Sequence, residues 1–153
     1  MSQLARRIQA GTFDTFNGSV VPRTTPDGFH IDASGGALSI GVGRMYVDGL
    51  LAENHGAAPL AWEPRLAGLQ GTEAVDYTAQ PYLPNPPELP QSGRHLVYLD
   101  VWQRAVTAVE APDLIEPAVG IDTTGRLQTV WQVKLLENVG DINCATADED
   151  IPG

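Results

Sequence analysis

One carboxylate stands out among the 19 Asp and Glu residues as a candidate for chemistry. Asp100 lies in a largely apolar run, between the aromatic residues Tyr98 and Trp102. If Glu110 or Asp113 came close to it, the pair would imitate the two acids of a glycosidase, which lie roughly 5 to 10 Å apart. Such an arrangement would make the chain a hydrolase.

A structural role for Asp100 is the competing interpretation. A carboxylate in a half-buried strand needs a hydrogen-bonding or charged partner, and Arg104 or Arg126 would provide one. The sequence shows no second acid that is matched to Asp100. We therefore predict a structural ion pair between Asp100 and Arg104, no catalytic residue and no enzymatic activity.

Metal and nucleotide chemistry find little support in the sequence. The three histidines and the single cysteine, Cys144, show none of the spacings of a zinc site, which needs about four ligands. A Gly-x-Gly run at 41–43 begins like a dinucleotide fingerprint, but it lacks the third glycine and no helix is predicted after it. We predict neither a metal nor a cofactor.

Aromatic side chains offer a further possibility, a platform that binds sugars or contacts a receptor. Tyr77 and Tyr82 flank the start of a proline-rich stretch and are predicted to be exposed or at an interface. Trp62 lies in a stretch without clear periodicity and is a third candidate contact. Trp102 and Trp131 lie in strand-like runs, where burial in the core is the expected role of a large aromatic ring.

Two strand-like runs, 96–104 and 128–136, must position these side chains. β-branched and aromatic residues dominate both runs, and such residues pack well on a pleated sheet. Successive side chains on a strand point to opposite faces, so each run has two faces of different composition. We predict that the two strands are neighbours in one sheet. On the first run one face carries Leu96, Tyr98, Asp100 and Trp102, and the other carries Val97, Leu99, Val101 and Gln103. On the second run one face carries Thr129, Trp131, Val133 and Leu135, and the other carries Val130, Gln132, Lys134 and Leu136.

The remaining sequence is rich in turn signals. Asp48 and Gly49 separate two apolar runs and predict a two-residue hairpin turn. Five prolines between residues 80 and 92 predict an extended connector over the surface. Short strands and frequent turns favour an all-β fold, an antiparallel sandwich or open barrel with long irregular, proline-rich connections.

We divide the chain into three parts from these patterns. Residues 1–36 would form an N-terminal arm and a first short strand, and residues 37–137 the β domain with its proline-rich connector. Residues 138–153 would form an acidic C-terminal tail, because they are polar and include the acidic run at 148–150.

Charge and hydropathy exclude several classes of partner. The formal net charge is −10, which disfavours nucleic acid because phosphate binding needs clustered Lys and Arg. No apolar run is long enough to span a bilayer, so we predict no membrane insertion. Arg6 and Arg7 are not followed by an apolar segment, so we read no signal peptide and expect synthesis in the cytoplasm.

Several segments together resemble a known protein family. They include the Tyr-Leu-Asp-Val-Trp run at 98–102 and the Val-Trp-Gln-Val run at 130–133, and they span roughly residues 37 to 136. The full set is 40–54, 77–81, 96–104, 106–110 and 116–133. In this order they resemble an uncharacterised domain family of phage-tail-like loci, including contractile injection systems, whose members are encoded near baseplate and tail-fibre genes.

The resemblance implies a structural, non-enzymatic component of a phage-tail-like contractile injection particle. Such a β domain would dock on a baseplate, a fibre or another symmetric ring, in several copies, and its partners would be other subunits and copies of itself. It implies no catalytic residue, and it places the finished chain in an assembled particle that can be released. A carbohydrate-binding or receptor-contacting module of a tail fibre is the alternative.

Overall fold

The computed structural model describes residues 19–57, 73–110, 112, 115, 126–143 and 146–151. These residues form β strands, short 3-10 turns and irregular connections, and every strand pair among them is antiparallel. The prediction of an all-β antiparallel fold is therefore confirmed, and the arrangement is consistent with a β-sandwich. The strands are β1 (Ser19–Val20), β2 (Ile31–Asp32), β3 (Ser39–Ile40), β4 (Gly43–Val47), β5 (Leu50–Asn54), β6 (Val75–Asp76), β7 (Leu96–Val106) and β8 (Arg126–Leu136). The 3-10 turns are Ser34–Gly36, Tyr77–Ala79 and Asp148–Asp150.

The two long strands, β7 and β8, pair along their whole length as a ribbon. Leu96 lies opposite Leu136 at one end, and Val106 lies opposite Arg126 at the other. This confirms that the two strand-like runs are neighbours in one sheet. Each strand is two residues longer than its predicted run, β7 at its C-terminal end and β8 at its N-terminal end.

Two small three-stranded sheets complete the described fold. One has the order β1-β4-β5 and the other the order β2-β3-β6. β4 and β5 form a hairpin in which Val47 pairs with Leu50. Its two turn residues, Asp48 and Gly49, have φ values of 45° and 71°, as a two-residue turn with two positive φ angles requires. The predicted hairpin turn is confirmed.

The core lies against one face of the ribbon. The register puts Val101 opposite Trp131 and Leu99 opposite Val133, so that these four side chains lie on the same face of the ribbon. Trp131 packs edge-on against Phe29, with ring centroids 5.2 Å apart. Burial of this face excludes water from the largest apolar side chains and is the main stabilising contribution to the fold. The buried core cluster is Phe29, Leu38, Ile40, Ala52, Tyr77, Trp131 and Val133.

A buried asparagine ties the hairpin to the neighbouring strand. The Asn54 side chain is only 1 % exposed, and its Nδ2 donates hydrogen bonds to the carbonyl oxygens of Ile40 (3.2 Å) and Gly41 (3.0 Å). Because a buried amide without partners is costly, these bonds specify how the end of β5 meets the link between β3 and β4.

Two glycines allow the backbone to pass itself closely at the start of β4. A Cβ atom on Gly43 would lie 2.4 Å from Cα of Gly28, and a Cβ atom on Gly28 would lie 2.5 Å from the carbonyl oxygen of Arg44. The Thr25 hydroxyl accepts a hydrogen bond from the Arg44 amide at 3.1 Å, which holds the same crossing together. No side chain larger than hydrogen fits at either glycine without moving the backbone.

Replacing Gly43 by alanine is therefore expected to lower the free energy of unfolding by about 2 kcal/mol, the cost of forcing an extra methyl group into a packed site. Urea denaturation followed by tryptophan fluorescence measures the change. Gly36→Ala is the matched control, because Gly36 also has a positive φ, of 80°, but its Cβ would have no atom within 4 Å. Gly36→Ala should therefore lower the free energy of unfolding only by the backbone strain of a positive φ, about 1 kcal/mol. Equal losses for the two variants would contradict the steric explanation.

Candidate interaction surface

The outer face of the β7–β8 ribbon, which points away from the core, is the candidate functional site. Its side chains come from alternate positions of both strands, because the pleat sends neighbouring residues to opposite faces. Tyr98 is 41 % exposed, and Trp102 is half-buried. The face therefore offers two large aromatic side chains to a partner. Its members are Leu96, Tyr98, Asp100, Trp102, Arg104 and Val106 on β7, and Arg126, Gln128, Val130, Gln132, Lys134 and Leu136 on β8. Val130 is only 2 % exposed, so this position of the face is covered within the chain.

An ion pair lies between the two aromatic side chains. Nζ of Lys134 lies 2.6 Å from Oδ2 of Asp100 and 5.9 Å from the centroid of the Trp102 ring. Lys134 sits opposite Tyr98 in the register, one step diagonally from Asp100. The ammonium group thus neutralises the carboxylate and also contacts the aromatic face of the tryptophan.

The predicted ion pair between Asp100 and Arg104 is wrong. Four residues of extended strand span about 13 Å, whereas a diagonal neighbour on the adjacent strand is within reach of a long side chain. Arg104 instead donates from Nε to Oε1 of Gln128 at 3.0 Å. Its Nη1 also lies 3.5 Å from Oε1 of Glu110. The two charged residues that the sequence suggested as a pair belong to separate contacts.

The Asp100–Lys134 contact perturbs the titration of the lysine. The hydrogen bond that Lys134 donates to Asp100 is the main cause that raises the pKa of Lys134 above its ordinary value. Partial burial opposes this rise, and the Coulombic attraction of the same carboxylate adds to it. Both side chains are about one-third exposed, at 34 % for Lys134 and 39 % for Asp100, so solvent screening keeps the stabilisation small.

Replacing Lys134 by methionine is expected to lower the free energy of unfolding by about 0.5 kcal/mol at pH 7. Because the folded pKa of Lys134 is raised, its contribution is complete below the unfolded value of roughly 10.4 and is lost as the pH rises through the folded value. The difference between the two proteins should therefore be constant from neutral pH and shrink in strong alkali. Chemical denaturation at a series of pH values measures it.

Lys134→Arg is the control for this alkaline loss. A guanidinium remains charged above pH 12, so this variant should keep its stability over the range in which the wild-type advantage fades. A wild-type advantage over Lys134→Met that grew with alkalinity would contradict the assigned contact.

The β8 edge of the ribbon is covered by the segment that follows β6. Nε2 of Gln80 donates to the carbonyl oxygen of Val133 at 3.0 Å, and Oε1 of Gln80 accepts from the Val133 amide at 2.7 Å. The side-chain amide thus replaces the backbone of a further strand. Tyr82 extends the cover, since Gln132 donates to its carbonyl oxygen and Gln128 donates to its hydroxyl at 3.2 Å.

The opposite edge of the ribbon, on β7, pairs with none of the strands that the structure describes. β7 is 11 residues long and contains no proline, glycine or lysine. Natural proteins blunt exposed edges with such residues, or with short strands, because an open edge is a template for strand addition. The outer face and this edge are contiguous, so a partner could contact both.

A family assignment follows from comparison with known proteins. Residues 13–148 match the sequence profile of a family of unknown function, DUF6519. The chain belongs to the DUF6519 family. No curated protein and no solved structure matches it. In the described part of this DUF6519 chain, no helix has the length and apolar character needed to cross a membrane.

Tyr77 and Trp62 of the DUF6519 chain were also predicted to contact a partner. Tyr77 is completely buried, at 0 % exposure, so the prediction that it is exposed or at an interface is wrong. A 3-10 turn directs it inward, and its amide donates to the carbonyl oxygen of Leu38 at 2.9 Å. Burial raises the pKa of the Tyr77 hydroxyl above its ordinary value. Trp62 lies outside the described residues.

Tyr82 has a packing role in the DUF6519 chain. Its side chain is half-buried and meets Trp131 edge-on, with ring centroids 6.3 Å apart. The predicted core position of Trp131 is confirmed by its exposure of 3 %. The same prediction for Trp102 is wrong, because Trp102 is half-buried on the opposite face of the ribbon. Of the aromatic residues considered from the sequence, Tyr98 and Trp102 are the two that the structure brings together on the outer face.

Two residues that matter in this region carried no signal of their role in the sequence. Gln80 lies at the start of the proline-rich connector, and its partner Val133 is 53 residues away. Lys134 is the only lysine of the chain, which could have marked it, but its partner depends on the strand register. Among the described residues, no group of three or more His, Cys, Asp or Glu side chains is placed to hold a metal ion.

Proposed function

We propose that this chain is a structural, non-enzymatic component of a phage-tail-like contractile injection particle. It docks there on a baseplate, a fibre or another symmetric ring. One observation carries the docking role: the outer face of the β7–β8 ribbon carries the exposed Tyr98 and the half-buried Trp102 next to a strand edge that no described strand covers. Tyr and Trp are enriched at interfaces and dominate their binding energy.

The electrostatics of the face support a docking role. Asp100 is already neutralised by Lys134, so a partner that covers the face does not have to bury an unpaired charge, which would be costly. This engagement of the carboxylate by an ammonium group also supports a structural rather than a catalytic role for Asp100. The net charge of −10 favours a partner with a basic surface.

The assignment to a phage-tail-like particle is supported by the sequence resemblance of residues 37–136. Symmetric assemblies repeat one contact many times, so a small domain with a modest interface is still held firmly. The aromatic face and the open edge give such a domain two adjoining surfaces for contact with neighbouring subunits.

Purification of the native particle tests this function. An epitope-tagged copy of the chain is expressed in the cells that carry its gene, and particles are separated on a density gradient. We expect the chain to sediment with the particle and cross-linking mass spectrometry to join the ribbon to a particle subunit. Recovery of complete particles without the chain would contradict the proposal.

A matched pair of variants locates the docking surface. The double substitution Tyr98→Ala and Trp102→Ala should release the chain from the particle, because it removes both aromatic anchors. Leu127→Ala is the control, since Leu127 is 60 % exposed and lies near the ribbon end on the opposite set of alternating positions. Equal incorporation of both variants would exclude the outer face as the docking surface.

Carbohydrate binding is the second candidate function, and the placement of Tyr98 and Trp102 favours it. The two aromatic residues lie on one face of β7, with their Cα atoms about 13 Å apart along the strand, and Asp100 and Lys134 lie between them as hydrogen-bonding groups. Trp131 is buried and would not contribute. Quenching of the Trp102 fluorescence by glycans in a titration would support this function, and a glycan array without binding would remove it.

A further inference from the structure

We propose that the open edge of β7 pairs with β7 of a second copy of this chain. The two strands would run antiparallel about a two-fold axis at Trp102 and would join the ribbons into a four-stranded sheet. This inference rests on the proposed function in that it names the contact between copies within the assembly. It is nevertheless testable on the isolated chain.

Among the described residues, only the β8 side of the ribbon is covered, so the edge of β7 is available for pairing. Gln80 and Tyr82 occupy the outer edge of β8, while no described strand pairs with the outer edge of β7. Backbone N–H and C=O groups along a strand edge need hydrogen-bond partners, and an identical strand provides them in matching positions. A two-fold contact is also the commonest symmetry of protein oligomers.

Charge complementarity selects the register of this pairing. In a continuous sheet the outer faces of both copies lie on the same side. The residue at the two-fold axis then lies directly opposite the same residue of the second copy. Asp100 or Arg104 on the axis would bring like charges together, which is destabilising. With Trp102 on the axis, Asp100 of each copy lies opposite Arg104 of the other. Val101 on the axis would leave Asp100 opposite the indole of Trp102, and Gln103 on the axis would leave Arg104 opposite it, so neither register pairs the two charges.

The contacts within each chain are compatible with this arrangement. Lys134 binds Oδ2 of Asp100, and an ionised carboxylate has room for further donors. Arg104 uses Nε for Gln128 and Nη1 for Glu110, and a guanidinium has five N–H donors. The two Trp102 side chains would meet across the axis, where facing aromatic residues in adjacent strands attract one another.

A disulfide pair tests the register without removing either charge. Tyr98 and Val106 lie opposite each other across the axis at Trp102, but are about 27 Å apart within one chain. Introduced in a Cys144→Ser background, Tyr98→Cys with Val106→Cys should give a disulfide-linked dimer on oxidation. We expect at least about tenfold more dimer than with either single cysteine, because the single sites lie too far from their own copies to be bridged.

A second pair is the matched control for the register. Leu96→Cys with Val106→Cys would be bridged only if Val101 lay on the axis, and it should give no more dimer than the single cysteines. A dimer from this control pair, with none from the first pair, would overturn the proposed register. Near-ultraviolet circular dichroism of the reduced proteins confirms that each variant folds.

Sedimentation of the otherwise unmodified chain tests the role of the charges. The wild-type chain should form a reversible dimer, and Arg104→Glu should raise its dissociation constant at least about tenfold because like charges then oppose each other. Arg126→Glu makes the same charge change on β8, away from the edge, and should alter the constant less than about twofold. A monomeric wild-type chain, or equal effects of both substitutions, would overturn the proposal.

These outcomes are distinguishable from failure of the proposed function. A chain that sediments with the particle but remains monomeric in isolation, without disulfide dimers, refutes the β7 contact and leaves the docking role intact. A chain that dimerises through β7 but is missing from purified particles supports the contact and refutes the docking role.

Discussion

Trp131→Ala is expected to lower the free energy of unfolding by about 4 kcal/mol, as is typical of large-to-small substitutions of buried aromatic residues. The indole is only 3 % exposed and packs edge-on against Phe29 and Tyr82. Its Nε1 also donates to the carbonyl oxygen of Glu53 at 2.9 Å, so truncation leaves both a cavity and an unpaired carbonyl group. Guanidinium denaturation followed by far-ultraviolet circular dichroism measures the loss.

Trp102→Ala is the matched control, because it makes the same chemical change on the opposite face of the ribbon. Trp102 is half-buried, and its clearest contact is the Lys134 ammonium 5.9 Å away. The expected loss is about 1 kcal/mol, of the size of a surface cation–π contact with a little burial. Similar losses for the two substitutions would mean that the outer face is as buried as the core face, against the arrangement described.

Gln80→Ala is expected to lower the free energy of unfolding by about 3 kcal/mol, because it leaves buried backbone groups without partners. The Gln80 amide bonds both the N–H and the C=O of Val133, and Nε2 also donates to the carbonyl oxygen of Tyr77 at 3.0 Å. The residue is 6 % exposed, so water cannot readily replace these bonds. Thermal and urea denaturation of the full chain both report the change.

Two further substitutions show whether the amide itself is responsible. Gln91→Ala removes an exposed glutamine whose side chain donates a hydrogen bond to the carbonyl oxygen of Leu89. This substitution should change the free energy of unfolding by less than about 0.5 kcal/mol. Gln80→Glu keeps the shape but places a carboxylate against two carbonyl oxygens. Its pKa is expected to rise, so the loss relative to wild type should shrink as the pH falls and the carboxyl group regains a donor. A pH-independent loss would point to packing instead.

The two edges of the ribbon differ in whether another segment forms hydrogen bonds with them. A 3-10 turn at Tyr77–Ala79 brings Gln80 and Tyr82 onto β8, and there the side-chain amide closes the ladder without a further strand. No described segment does the same for β7. Since an open edge of this length invites strand pairing, the asymmetry between the two edges is the structural basis of the proposed contact between copies.

The ribbon shows how far local sequence patterns reach. The β-branched and aromatic residues of 96–104 and 128–136 predicted both strands and their pairing, because such side chains pack well on a pleated sheet. Asp48 and Gly49 predicted their turn, since few other residues tolerate positive φ. The Pro-rich connector was predicted to lie over the surface, yet Leu83 and Leu89 within it pack against the core, and no local pattern indicates that.

The sequence by itself determined the all-β class and the two long strands, since these depend on neighbouring residues only. Tertiary structure alone decided that Asp100 binds Lys134, 34 residues away, that Tyr77 turns inward, and that Gln80 closes the edge of β8. Each of these contacts depends on register and on which segments meet in space. Several partners of suitable charge or polarity are present in the chain, and only the packed fold chooses among them.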